Sequence, residues 1–294
     1  MRERIQIIGP GRLGLALGLA FTAEDSVESL VVVGRGEGPP HHPLFESGVA
    51  EYRSGRVAPD PGTTALLLTV PDGALRSVAG ELAAAGPHAS PCPVFHASGA
   101  LGLDVLDPLH AAGWPIGGFH PLLPIGNPVT SADRLHGAWF ALAGEVEAMA
   151  VARRLLRILA GHELRIPASR RPLYHAAAAT GSYHLQAVLL SAVRLMETLG
   201  VPADDALHAI LSLARGALSN LEELPAEQAL TGPIVRGDVE TIRLHLLTLE
   251  PREQRLYRPL AQAVLDLVPF GGDAEDLTRL ERLLEEAPGP TDGD

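Results

Sequence analysis

Ile5-Gln6-Ile7-Ile8-Gly9-Pro10-Gly11-Arg12-Leu13-Gly14 is the stretch on which this sequence turns. A short apolar run, Ile5 to Ile8, ends at a glycine, and an apolar stretch that reads as helix, Leu13 to Phe21, follows at once. The pattern is G-x-G-x-x-G between a strand and a helix. Gly9 permits a tight turn, Gly11 lets a pyrophosphate approach the backbone, and Gly14 lets helix and strand pack closely. The helix start adds free N–H groups and the positive end of its dipole. Gly9, Pro10, Gly11, Arg12, Leu13 and Gly14 are therefore candidate cofactor-binding residues. The plainer alternative is a glycine turn that serves packing alone.

The chain has 294 residues, enough for one large domain or two ordinary ones. At 46% hydrophobic it can bury a sizeable core, and at 4% aromatic that core must be built from Ala, Leu and Val. A net charge of −12 argues against a nucleic-acid surface, which needs a basic patch. No apolar run is long enough to span a bilayer, and Met1-Arg2-Glu3-Arg4 leads into a strand rather than a signal peptide, so the expectation is a cytoplasmic protein with no membrane partner. Cys92 is the sole cysteine, which excludes an internal disulfide and a thiolate metal cluster. His41 and His42 lack further ligands at metal spacing, so no metal is expected. The chain contains no lysine: all 23 basic residues are arginine. Schiff-base, Walker-A and lysine general-acid chemistry are thereby excluded.

Leu30 to Val33 reads as a second buried strand, ending in Gly34-Arg35-Gly36. NAD sites usually place an acid here for the ribose hydroxyls, whereas NADP sites accommodate the extra phosphate with arginine. The arginine and the missing acid point to NADP, with Arg35 as a further cofactor contact; otherwise Arg35 is an ordinary solvated side chain. Ala65 to Val70 is a third strand, whose end places Thr69, Val70 and Pro71 beside a cofactor. A helix from Ala74 to about Ala85 and a turn-rich link, Pro87 to Pro93, follow. Val94 begins another strand and runs into His96-Ala97-Ser98-Gly99; Ser98 either bonds a ribose or substrate oxygen or simply caps the turn. Pro115 to Phe119 leads into His120. Trp139 to Ala143 and Glu163 to Ile166 read as the last strands, with a helix from Val146 to Ala160 between them. This alternation predicts a doubly wound, mostly parallel sheet covered on both faces.

Strand signals stop at Ser169. Arg171 to Leu199 reads as one long helix, and Asp204 to Asn220, Asp238 to Leu249, Arg255 to Val268 and Ala274 to Glu286 as further helices. Pro259 either kinks its helix or sits in the first turn. The expected organisation is an α/β N-terminal domain over residues 1–168, an all-α domain over 169–287 and a disordered polar tail over 288–294. The helical half is richer in Ala and Leu than one buried face needs, notably over Ala176–Ala179 and Leu185–Leu190, which predicts a homodimer formed chiefly through that half.

Four segments narrow the reading: His96-Ala97-Ser98-Gly99, Gly118-Phe119-His120-Pro121, Tyr174-His175-Ala176-Ala177-Ala178, and Thr231-Gly232-Pro233-Ile234-Val235-Arg236-Gly237-Asp238. Together they resemble Rossmann-like proteins that carry domain of unknown function 2520, within the superfamily of 6-phosphogluconate dehydrogenase, ketopantoate reductase and pyrroline-5-carboxylate reductase. The resemblance spans nearly the whole chain and implies an NADP-type oxidoreductase whose substrate is mostly unassigned; some members are suspected ketopantoate reductases. Where the family is expected to show Ser-Asn, this chain has Ser182-Tyr183, and the lysine of the related hydroxyacid dehydrogenases is replaced by the Tyr174-His175 region.

Reduction of a carbonyl needs a proton donor beside the developing oxyanion. Without lysine, histidine is the natural choice. His120 lies at a strand end, and His175 starts a helix that lines the interdomain cleft in the resembled superfamily; either is a candidate catalytic residue, or else a histidine bonded to nearby backbone. His96 reads as a packed strand residue, and Tyr174 as a weaker donor. His175 and Ser182, seven residues apart, would share a helix face. Ser98, Ser182, Arg236 and Asp238 are candidate substrate-binding residues: Arg236 as a fork for a small anionic substrate, Asp238 either beside it or only as a helix N-cap. Two functions stay open, an NADP-dependent reductase of a small carbonyl or imine compound such as a 2-oxo acid, and a non-catalytic dinucleotide-binding sensor or partner subunit.

Overall fold

The computed structural model describes residues 2–23, 25–55, 58–85 and 92–286. The expected tail over 288–294 and most of the Pro87–Pro93 link lie outside the described residues. By internal contacts the chain divides into two units, Met1–Ser182 and Tyr183–Asp294.

In the first unit the strands are β1 (Glu3–Ile8), β2 (Val27–Gly34), β3 (Glu51–Ser54), β4 (Ala65–Leu68), β5 (Val94–His96), β6 (Ile116–Pro121), β7 (Trp139–Gly144) and β8 (His162–Arg165). The helices are α1 (Arg12–Thr22), α2 (Pro43–Glu46), α3 (Leu75–Ala84), α4 (Asp107–Ala111), α5 (Pro128–Leu135), α6 (Val146–Ile158) and α7 (Arg171–Ala179). The strands form one eight-stranded sheet in the order β3-β2-β1-β4-β5-β6-β7-β8. Every neighbouring pair is parallel except β6 with β7. Alternation within the strands builds two cores. Ile5, Ile7, Leu67 and Phe95 join α1 and α6 on one face, while Leu66, Leu68 and Val94 join α3 and α4 on the other. Burial on both faces is why these strands read as continuous apolar runs.

Several elements differ from the sequence expectation. β3 was not anticipated, because Glu51-Tyr52-Arg53-Ser54 carries no apolar run. It is one of the sheet's two edges, and its Arg53 pairs with Glu51 at 2.6 Å and Asp60 at 2.8 Å, the charged finish that edge strands tolerate. α5 was also missed; Asn127 caps it by accepting from the amides of Val129 and Thr130. The single helix expected over Arg171–Leu199 is instead α7, a π turn over Thr180–His184, and α8 (Leu185–Thr198). The cause is local. Thr180 and Ser182 donate their hydroxyls to the carbonyls of Ala176 and Ala178 at 3.0 and 2.7 Å, competing with the helix ladder beside Gly181.

α7 belongs with the first unit rather than with the helical half. Its Arg171 is only 1% exposed and bonds Ser98, and its Tyr174 bonds His120 of β6. The second unit holds α8, α9 (Ala203–Glu223), α10 (Ala226–Ala229), α11 (Pro233–Arg236), α12 (Val239–Thr248), α13 (Pro251–Leu267) and α14 (Ala274–Glu285). Ile234, Ile242, Leu246, Ala261, Leu280 and Leu284 form its core. Pro259 lies inside α13, which starts earlier than expected because Glu250 and Glu253 form a capping box ahead of it.

Candidate functional site

The β1–α1 turn is set by three close approaches. Gly9 has φ +114°, and a Cβ there would stand 2.8 Å from the Thr69 carbonyl. A Cβ on Gly14 would stand 2.2 Å from the Gly9 oxygen and 2.6 Å from Thr69 Oγ1. Thr69 ties the pair together by donating to the Gly9 carbonyl at 2.7 Å. Gly11 differs: a Cβ there would meet nothing within 4 Å, and Gly11 is the N-cap of α1 with no side chain capping it. The turn thus presents bare backbone and a helix N-terminus to open space, the arrangement that receives phosphate.

That space is a cavity of about 1120 Å³, lined by Gly9, Pro10, Gly11, Arg35, Thr69, Val70 and Pro71 among others. Its volume exceeds the roughly 300–1,000 Å³ usual for drug-sized ligands. Arg12, Leu13 and Gly14 do not line it. Arg12 is exposed, Leu13 packs on the core, and Gly14 is buried where its helix meets the strand. Arg35 projects from the loop after β2, and Arg53 on β3 is already committed to Glu51 and Asp60. Tyr52 fixes this loop by donating to the Gly36 carbonyl at 2.8 Å, against a Gly34 that has no room for a side chain beside Tyr52 and Pro10. Tyr52 escaped the sequence reading because its strand did.

A polar cluster stands at the neighbouring strand ends. Leu68 of β4, His96 of β5 and Gly118 of β6 are level in the sheet, so Val70, Ser98 and His120 follow at about the same height. His120 Nδ1 and the Tyr174 hydroxyl are hydrogen-bonded at 2.8 Å, and the rings of His120 and His175 lie 6.5 Å apart. Gly99 separates the two histidines. A Cβ there would stand 2.8 Å from His120 Nε2 and 2.9 Å from His175 Cδ2. Two of the sequence candidates, His120 and His175, are thus brought together, with Tyr174 joined to them.

Ser98 is placed differently. Its hydroxyl donates to Asp72 at 2.8 Å and accepts from the amides of Ala100 and Leu101 at 3.3 and 3.1 Å. All three valences are used, so Ser98 caps the turn that carries Gly99. Ser182 donates to Ala178 inside the π turn, which breaks the α-helical repeat meant to align it with His175. Asp238 accepts from the Thr241 amide and hydroxyl at 3.1 and 2.6 Å, and is the N-cap of α12. Those hydrogen bonds hold its carboxyl below the usual range. Arg236 is exposed at the end of α11. The Gly237 beside it has φ +76° and sits against Gly272, where a Cβ would approach the backbone to 2.4 Å, so this motif is first of all a close backbone junction.

Arg171 and His96 lie beneath the cluster; His96 is the packed strand residue its sequence suggests, whereas nothing in the sequence singles out Arg171. Arg171 Nη1 donates to the Ser98 carbonyl at 3.3 Å, and its Nη2 has no partner. His96 Nδ1 accepts from the Ser98 amide at 3.2 Å, and its Nε2 is likewise unpartnered. Both unpartnered atoms face Gly118, where a Cβ would stand 2.8 Å from Nη2 and 3.5 Å from Nε2. Burial, with Arg171 next in weight, pushes His96 and His120 each down to about 4. Both imidazoles are therefore neutral at pH 7, and neither is an imidazolium acid there. A glycine pair inside a strand signals close approach, so Gly117-Gly118 was the clue available in the sequence.

Residues 1–121 match the Rossmann-like domain family, and residues 138–264 match the family described as a domain of unknown function, DUF2520. No curated protein matches the sequence significantly. Among solved structures, a Bacteroides fragilis protein provisionally assigned as an NADP oxidoreductase is 21% identical, with TM-score 0.71, over 90% of this chain and 98% of its own. A pyrroline-5-carboxylate reductase from Coxiella burnetii is 14% identical, with TM-score 0.62, over 98% and 100%. A reductive aminase from Aspergillus terreus, solved with NADPH, is 19% identical, with TM-score 0.56, over 97% and 93%. Sheet order and glycine turn define a Rossmann-type fold. Within it, the chain carries a Rossmann-like domain over residues 1–121 and a DUF2520 domain over residues 138–264.

The neutral histidines make stability depend on pH. Unfolded, His96 and His120 titrate near 6.5; folded, near 4. Between these values the unfolded chain binds protons that the native one does not, so stability is full above pH 6.5 and falls as the pH drops toward 4. Lowering the pH from 7.5 to 5.5 should cost about 3 kcal/mol from this pair. Calorimetry across that range checks it, and an unchanged melting temperature would contradict the burial of neutral imidazoles.

Proposed function

We propose that the protein is an NADP-dependent oxidoreductase that reduces a small carbonyl or imine compound. The observation that carries the reading is the cavity at the C-terminal ends of β1, β2 and β4, with Gly11 open to it and Arg35 on its wall. These residues fit a dinucleotide phosphate: bare backbone for the pyrophosphate and an arginine, with no acid, where the ribose lies. The Coxiella and Aspergillus enzymes, with their carbonyl- and imine-derived chemistry, support the same class.

A bound reduced nicotinamide would supply hydride. The chain's part is then to place the substrate and give a proton. At neutral pH His120 offers the N–H of a neutral imidazole rather than an imidazolium. We assign the Tyr174 hydroxyl as donor to His120 Nδ1, which leaves Nε2–H directed at Gly99, where a carbonyl oxygen or imine nitrogen can take the proton. His175 flanks the same place. A homodimer also belongs to it. Leu199, Leu213 and Leu247 of the second unit are 77%, 72% and 69% exposed, more apolar surface than an isolated helical unit needs.

Three measurements check these points. NADPH should bind at least about tenfold tighter than NADH, a difference of about 1.4 kcal/mol, and Arg35→Ala should remove most of it; equal affinities in the parent protein would refute the cofactor assignment. In an assay of NADPH oxidation over a panel of 2-oxo acids and cyclic imines, beginning with ketopantoate, His120→Ala should lower kcat by roughly a hundredfold while NADPH affinity holds. Loss of affinity with kcat intact would place His120 in binding instead. Light scattering at micromolar concentration should give twice the chain mass, and a monomer would end the dimer proposal.

A further inference from the structure

We propose that Arg171 is a positioning residue whose buried guanidinium serves as counterion for negative charge left on the Tyr174 oxygen when a proton passes out through His120. The inference rests on the reductase reading and gives it the second half of the proton path.

Arg171 is among the largest fully buried side chains, at 1% exposure, yet forms no ion pair with a carboxylate among the described residues. Its one hydrogen bond, to the Ser98 carbonyl, is long at 3.3 Å, and Nη2 has none. Holding a cation without an anion in the interior costs several kcal/mol. The fold also makes room for it, since any side chain at Gly118 would collide with Nη2. A charge kept at such cost, among neutral imidazoles, points to an anion that forms only transiently.

Tyr174 is where that anion would form. It lies three residues after Arg171 on α7, the spacing that makes helix neighbours. Its hydroxyl is bonded to His120. Burial raises the Tyr174 hydroxyl while Arg171 lowers it. The first turn of α7 adds the positive end of the helix dipole. The groups facing His120 are Tyr174, His175 and Arg171 from α7 and His96 from β5, so no carboxylate takes part directly.

The step balances. The substrate oxygen or nitrogen forms a bond to the His120 Nε2 proton, and the Nε2–H bond breaks. Nδ1 takes the Tyr174 proton, so the imidazole stays neutral and the phenolate is left opposite Arg171. The two electrons would come from a bound reduced nicotinamide, and a solvent proton later restores Tyr174. Arginine suits this place because it stays charged and donates to an anion without itself losing a proton.

The test is an ultraviolet titration of tyrosine ionisation in the protein without cofactor. The chain has only four tyrosines, and Tyr174→Phe isolates the one in question. Arg171→Met should raise the Tyr174 midpoint by about one pH unit or more, and Arg171→Lys should restore most of the parent value. Should Arg171→Met fail to fold, Arg171→Gln, which can still donate to Ser98, takes its place. An unchanged midpoint in a folded variant overturns the proposal. Because this readout needs no cofactor, its failure leaves the reductase reading standing, whereas failure of the NADPH binding measurement overturns that reading. In turnover, Arg171→Met should lower kcat with little change in KM, and a change confined to KM also overturns the proposal.

Discussion

The site depends on one steric constraint: between β1 and α1 the backbone approaches itself and β4 so closely that no side chain fits. A Cβ on Gly14 would overlap the Gly9 carbonyl, and one on Gly9 would overlap Thr69. That closeness brings the start of α1 up against the strand ends. It leaves Gly11 alone facing open space, so a phosphate-sized ligand can meet backbone N–H groups directly. The Thr69 bond to Gly9 then fixes the height at which β4 ends, and register carries that height across β5 and β6 to Ser98 and His120.

The same sheet explains why the neighbouring cluster is electrostatically unusual. β5 and β6 are interior strands, so groups at their ends lose water on both sides. His96 and His120 respond by staying neutral, and Ser98 by spending every hydrogen-bonding valence on its own turn. Arg171 cannot become neutral in this way. Its charge is therefore the dominant fixed field in the cluster, and it disfavours protonation of both imidazoles while favouring negative charge on Tyr174.

What was legible in the sequence followed from strong local signals. Apolar runs ended by glycine gave β1 and β2, one ended by Pro71 gave β4, and the turn chemistry gave the glycine wall of the cavity. β3 was hidden because an edge strand needs no apolar face, and Tyr52 was hidden with it. The π turn was hidden because Thr180 and Ser182 read as ordinary helix surface until their hydroxyls are seen bonding backward. Asp238 looked chemical through its place in Gly-Pro-x-x-Arg-Gly-Asp, yet its carboxylate is taken by Thr241 and its neighbouring glycine by a backbone contact. Arg171 was the least legible, since Arg170-Arg171 before a helix reads as solvated charge. Only Gly118 on the distant strand β6 makes room for Arg171 to go inside.

The absence of lysine acquires a physical meaning in this setting. A lysine can serve as fixed charge and as proton donor at once, because burial moves its titration into reach. An arginine can serve only as charge. A chain with no lysine would have to divide the two tasks between residues, and under the proposal above the first unit does so. The permanent cation is Arg171, held out of water, and the protons proposed to move sit on Tyr174 and His120, bonded to one another at 2.8 Å. The division also removes a conflict. A donor that becomes neutral on giving up its proton stops stabilising the charge it leaves, whereas Arg171 keeps its charge throughout, so the field at the Tyr174 oxygen is the same before and after the proton leaves.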